Sequence, residues 1–189
     1  MMKIVIEHLE DEMFDWSICE YKRLISELQD RVSFTRVPTH HSSKHFSEFA
    51  SQFSDESILN LQANISRICL LDEQAESLLT PKDASEFDFC LVGGILGNVD
   101  EFDADRTKEL RDLGFPRRHL GAHQMTADTA AIVADLIVNQ GKEFEQLEFV
   151  DRPEFPVGPG ESIIFPFRLL RQADGKPAIA DGIVEMLID

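Results

Sequence analysis

The chain is short of positive charge. Among 189 residues, 18 Lys and Arg face 35 Asp and Glu, a formal net charge of -17. Nucleic-acid binding draws much of its affinity from basic contacts to phosphate, so this deficit weighs against RNA or DNA as a ligand. It favours a basic partner instead. Long apolar runs are also missing, and nothing approaches the roughly 18 consecutive apolar residues of a membrane span. The first residues, MMKIVIEHLEDEMF, turn acidic after one short apolar run, unlike a secretory signal. The expectation is a cytoplasmic protein without a membrane partner.

Cysteine is scarce. Cys19, Cys69 and Cys90 are odd in number, form no CxxC pair and sit among apolar neighbours. Buried free thiols in a reducing compartment account for them. No Walker A motif and no GxSxG elbow is present. His40, His41 and His45 lie in a serine-rich stretch without Asp, Glu or Cys at ligand spacing, so no metal site is expected.

What is present is an alternation of strands and helices. Strands are expected over 3–7, 32–36, 67–72, 87–93 and 117–120, being short, apolar and β-branched. Helical spacing of Ile18, Tyr21, Ile25 and Leu28 predicts a helix over 16–30 with Asp15 as its cap. Phe46, Phe49 and Phe53 predict an amphipathic helix within 39–57 that docks by its phenylalanines. Pro81 favours a helical turn over 81–86, capped by Thr80. A helix over 104–113 ends at Gly114. The helix over 126–140 is apolar nearly all round, which predicts burial, and its alanines allow close packing. The tail carries strand-like LEFV and SIIFPFRLL around a Pro-Gly loop, PEFPVGPG. This alternation indicates a largely parallel α/β sheet with ligands at the carboxyl ends of its strands.

The stretch DFCLVGGILGN sits at such an end. As a dinucleotide fingerprint it fails, because Val92 stands at the first glycine position, before Gly94 and Gly97. It then runs into Asp100, Glu101, Asp103 and Asp105, a poor setting for pyrophosphate. Either the glycines make a tight turn, or they let a backbone approach an adenosine compound that is not led by its phosphates.

Seven stretches occur in order: VIEH with Trp16, Glu20 and Tyr21 after it, CLLD, FDFCLVGGILG, DRTKEL, RRHLGAHQMTADTA, FVDRPEF and PFR. Together they resemble the SPOUT-class methyltransferases. That class includes a fungal arginine methyltransferase of a small-subunit ribosomal protein and archaeal chains regarded as RNA methyltransferases. The resemblance covers most of the chain and is weakest over 38–66. It implies a mostly parallel α/β sheet with a deep trefoil knot over about 87–140. It further implies a methyltransferase domain over 1–144 and a C-terminal β-containing extension over 145–189. Its cofactor is S-adenosylmethionine, leaving as S-adenosylhomocysteine.

Carried over by residue, the cofactor loops are Leu71 and Asp72; Gly93, Gly94, Ile95, Leu96 and Gly97; and Leu120, Gly121, Gln124, Met125 and Thr126. The family reads nearer RRLG followed by an acid and a lysine. His119, Ala122 and His123 depart from that pattern and leave the contacts of this edge open.

An arginine acceptor needs carboxylates to grip its permanently charged guanidinium. Glu7, Glu20 and Asp105 are the candidates, with Trp16 to pack on the guanidinium face. Trp16 and Tyr21 fit equally as core residues. The reading that follows is methylation of an arginine on a basic protein, expected to be a small-subunit ribosomal protein. The alternatives are an RNA methyltransferase using a local basic strip at Arg111, Arg117, Arg118 and Arg168, and a non-catalytic adapter. A monomer is favoured over a dimer because like charge opposes self-association.

Overall fold

The computed structural model describes residues 1–62, 64–94 and 107–188. Its centre is a five-stranded sheet of β1 (Lys3–His8), β2 (Val32–Thr35), β3 (Ile68–Leu71), β4 (Phe89–Gly94) and β5 (Arg117–Arg118). The order is β2-β1-β4-β3-β5, and every pairing is parallel. The helices are α1 (Asp15–Leu28), α2 (Thr39–His45), α3 (Ile58–Leu61), α4 (Asp83–Glu86), α5 (Thr107–Arg111), α6 (Ala127–Val138) and α7 (Ile183–Met186). The knot expected over about 87–140 includes residues 95–106, which lie outside the described residues.

A parallel sheet needs cover on both faces, and alternation along β1 supplies it. Ile4 and Ile6 join α1 and α6 in the main core, while Val5 packs with Ile58, Leu70, Leu91, Leu110 and Phe115 on the other face. The apolar helix α6 is buried as its composition requires, with Ala131, Val133, Ala134 and Ile137 fully enclosed.

Several expectations change; Asp15, for one, is the first residue of α1, whose cap is Phe14. Residues 39–57 are not one helix: α2 stops at His45, Phe46 leaves helical geometry, and a 3-10 turn follows over Ser47–Gln52. The aromatic side chains decide this. Phe53 stacks on Phe34 and Phe46 at 4.6 and 4.7 Å between centroids, which draws Phe53 into an extended bridge beside β2. Phe49 is left 41% exposed. In the tail, the Pro-Gly loop is a strand: β7 (Glu154–Gly158) pairs antiparallel with β8 (Glu161–Ile164), and Gly160 turns between them at φ +78°. SIIFPFRLL is therefore split, since β9 (Arg168–Leu170) pairs instead with β6 (Phe149–Asp151). Pro156 is tolerated because this two-stranded pair consists of edges.

The tail packs on α1. Phe165, Phe167, Leu169, Ala180 and Ile183 form a third apolar cluster, and Trp16 and Cys19 enter it from α1.

Candidate active site

The predicted cofactor segments follow three adjacent strands. Leu71 and Asp72 end β3, Gly93 and Gly94 end β4, and residues 120–126 join β5 to α6. Leu71, Leu120 and Met125 all pack in the main apolar core. Gly121 takes a left-handed φ of +84°, and its N–H donates to His119 Nδ1 at 3.0 Å. His119, which departs from the family pattern, thus shapes this turn. Gln124 is tied to the tail, its carbonyl accepting from Arg168 N at 2.8 Å. Thr126 is buried and donates to Thr129 Oγ1 at 2.8 Å at the start of α6. Ile95, Leu96 and Gly97, and the candidate acid Asp105, lie outside the described residues.

Gly94 has a reason of its own. A Cβ there would stand 2.6 Å from the Tyr21 hydroxyl and 3.0 Å from Ile6 Cγ2. Helix α1 approaches the strand end so closely that no side chain fits.

Asp72 is a hub. Its carboxylate accepts from Arg111 Nε at 2.6 Å, Arg117 Nη1 at 2.7 Å and Gln74 N at 3.0 Å. Burial pushes its pKa up, but the two guanidinium groups and the backbone N–H outweigh burial and hold it at about 2. Arg118 pairs with Asp83 and Glu86 and lies over the Phe87 ring. Arg168 pairs with Asp151 and lies over Phe149. Every member of the expected basic strip is thus matched to an acid.

The three described candidates for gripping a guanidinium are not brought together. Glu7 lies on the sheet face away from α1, and its carboxylate accepts from Thr35 Oγ1, Ser57 Oγ and Ile58 N. Its neighbour His8 points the other way, with Nδ1 2.8 Å from the Tyr21 hydroxyl; His8 Nε2 is buried without a hydrogen-bond partner among the described residues. Glu20 and Trp16 stand one turn apart on α1, Glu20 buried and Trp16 packed into the apolar cluster under the tail. Trp16 also stacks on Phe165 at 5.8 Å, so one of its faces is occupied by the tail.

The partner that sequence reading missed is Asp128. Only 2% exposed on the first turn of α6, it accepts from Arg23 Nη1 at 2.8 Å. Arg23 also donates to Ala178 O at 3.1 Å. Burial first, and then the charge of Asp128, push the Glu20 pKa well above the usual carboxylate range. The one signal in the sequence was an acid placed among alanines in a helix otherwise fit only for burial.

Among the described residues, the ends of β3 and β4 and the 120–126 segment follow adjacent strands, and buried Asp128 stands two residues after Thr126. The family model described as "Protein arginine N-methyltransferase SFM1-like" matches residues 3–189. The chain belongs to this family. The Saccharomyces cerevisiae protein arginine N-methyltransferase SFM1 is 32% identical over 203 residues, spanning 98% of this chain and 94% of that protein. The crystal structure of the yeast SFM1 complexed with MTA superposes with a TM-score of 0.86 at 30% identity, covering 98% of this chain and 99% of that one. The complex with SAM gives 0.85 at 31% identity, covering 98% and 89%. The dual specific Trm10 from Thermococcus kodakaraensis, at 15% identity and a TM-score of 0.55, covers 76% of this chain and 96% of its own, and shares the fold. The match over residues 3–189 of this SFM1-like chain takes in the strand-end segments and the tail.

Proposed function

We propose that this protein transfers the methyl group of S-adenosylmethionine to an arginine of a basic protein, a component of the small ribosomal subunit. The observation that carries the reading is full-length similarity to an arginine methyltransferase solved with SAM. The residues present fit this cofactor: Leu71, Leu120 and Met125 place apolar side chains in the strand-end segments, and Gly121 makes a left-handed turn against the Phe144 ring. When bound, the cofactor supplies an electrophilic methyl on sulfur.

The chain's own task is to hold a guanidinium in line with that methyl. Orientation of this kind can supply much of the acceleration. Glu20, buried on α1 with its pKa raised by burial and by the charge of Asp128, is the carboxyl on the substrate side. A guanidinium nitrogen forms the new N–C bond, the sulfur keeps the electron pair of the broken S–C bond, and one N–H proton leaves. Glu7, already saturated by three donors, serves to clamp residues 57–58 under β1.

RNA methylation is the weaker reading because Arg111, Arg117, Arg118 and Arg168 are all engaged by carboxylates. The test is incubation with methyl-labelled S-adenosylmethionine and small ribosomal subunits lacking the modification, followed by split digestion. Label released by protease supports the proposal. Label released by ribonuclease replaces it with the RNA reading, and cofactor binding without any transfer replaces it with an adapter.

A further inference from the structure

On the face of the sheet away from α1, the cover is incomplete near the β2 edge. Between β1, β2, β4 and the segment over residues 51–62 lies a slot of about 250 Å³. The strands supply Val5, Phe34 and Phe89 to its walls, and the segment supplies Phe53, Ile58 and Leu61. Leu61, at 45% exposed, stands at its rim. Four polar groups of the lining are already engaged within the chain. Lys3 Nζ donates to Asp30 O at 2.5 Å, and Gln52 Nε2 donates to Gln29 O and Val32 O. Thr35 Oγ1 donates to the Glu7 carboxylate, and Ser54 Oγ accepts from Glu56 N. What the slot offers an occupant is therefore mainly apolar surface.

Pockets for cofactors and other small molecules run roughly 300–1,000 Å³. This slot is smaller and suits one large apolar side chain. Charge indicates whose side chain it is. Residues 46–62 carry Glu48, Asp55 and Glu56, all exposed, and no Lys or Arg. The flanking cations are held, Lys3 by the Asp30 carbonyl and Arg67 by Asp88 and the Glu86 carbonyl. An apolar slot beside exposed acids complements a basic chain that carries an apolar anchor, and such complementarity steers the encounter. A second copy of this chain, with its own net charge of -17, is repelled instead. We propose that the slot is a docking site for the basic protein substrate, taking an apolar side chain remote from the methylated arginine. The proposal rests on the reading of this protein as an arginine methyltransferase of a basic protein.

The slot lies along the sheet, not at its strand ends. Its lining includes Phe89, which opens β4, whereas Gly93 and Gly94 of the cofactor segments close that strand. From Phe89 to Gly94 the strand climbs roughly 16 Å, at about 3.3 Å per residue. A substrate with its arginine at the strand ends reaches the base of the slot only through about five further extended residues. The slot therefore serves capture of the protein substrate and leaves the transfer step to the residues at the strand ends. Its outer wall falls within 38–66, where the family resemblance is weakest, so the anchor it selects is set by this chain's own sequence.

Two measurements test the proposal. The first blocks the slot. Ser33 pairs with Val5 in the sheet register and lines the slot, so Ser33→Phe puts a ring where the anchor would lie. A second variant, Glu48→Lys with Glu56→Lys, reverses the charge beside the slot at exposed positions and serves if Ser33→Phe fails to fold. With methyl-labelled S-adenosylmethionine and unmodified small-subunit proteins, each should raise KM for the protein substrate by about tenfold. The kcat and the affinity for S-adenosylmethionine should stay at wild-type values. Thermal melts keep unfolded variants out of the comparison. The second measurement places a photo-crosslinking amino acid at position 61, which should capture the same small-subunit protein that receives the label. Unchanged KM in the folded variants overturns the proposal while leaving arginine transfer standing. Cross-linking at position 61 to RNA, or to a second copy of this chain alone, also overturns it. Methyl label found on RNA overturns the functional reading, and the substrate docking site with it.

Discussion

The Tyr21 hydroxyl occupies the space a side chain at Gly94 would need, 2.6 Å from an ideal Cβ. The glycine that a sequence search offers to a ligand is thus also demanded by α1. Gly94→Ala should destabilise the fold by about 1–3 kcal/mol, the usual cost of overpacking. Tyr21→Phe removes the clashing atom, so the double variant should melt above the sum of the two single losses. Additive melting shifts would show that the contact does not limit position 94.

Asp72 makes stability depend on acid. Its folded pKa of about 2 lies below its ordinary value of 3.8, so its contribution is complete above that value and is lost as pH falls through about 2. The size is about 2 kcal/mol. Asp72→Asn should leave Arg111 and Arg117 without their shared anion and cost about 3–5 kcal/mol at neutral pH. Urea unfolding from pH 7 to 2 checks both, with the variant's curve flatter below pH 4.

Asp135 is fully buried and takes Arg31 Nε at 2.9 Å, Asn139 Nδ2 at 2.8 Å and Gln140 Nε2 at 3.2 Å. Asn139 in turn holds Met2 N and O at the start of β1. Asp135→Ala should therefore lower stability by about 3–5 kcal/mol, measured by denaturant unfolding. A loss below about 1 kcal/mol, the scale of a surface pair, would contradict this account.

The thiols should separate cleanly. Cys69 and Cys90 are fully buried, and burial pushes the Cys69 thiol up to about 12 and Cys90 well above its ordinary value. Cys19 is partly exposed. A thiol reagent at pH 8 should label at most one cysteine in the native protein and three after denaturation. Native labelling of two or more would mean that the β3–β4 centre opens readily.

Local pattern made much of this legible. The run KIVIE, the apolar RICLLD and the alanine-rich helix around Val133 each state their burial in a few consecutive residues, and the sheet follows from their alternation. The break at Phe46 was not legible, because it depends on Phe34 and Phe53 meeting in space. Nor was the strand through Pro156, whose proline argues for a loop until an edge position is known. At the site, Glu20 and Trp16 stand one helical turn apart and could be paired from the sequence. Glu7 was misplaced beside them because sequence order does not say which face of the sheet a strand's last residues take. Asp128, distant from Glu20 along the chain, became its partner only once α1 and α6 were packed together.

The central claim is best tested by the chemical identity of the labelled product. The protein is incubated with methyl-labelled S-adenosylmethionine and unmodified small subunits, and the protein fraction is hydrolysed to amino acids. The account predicts label in methylarginine, lost with Glu20→Gln while cofactor binding persists. Label in any other residue or in a nucleoside would contradict it, as would undiminished transfer by Glu20→Gln.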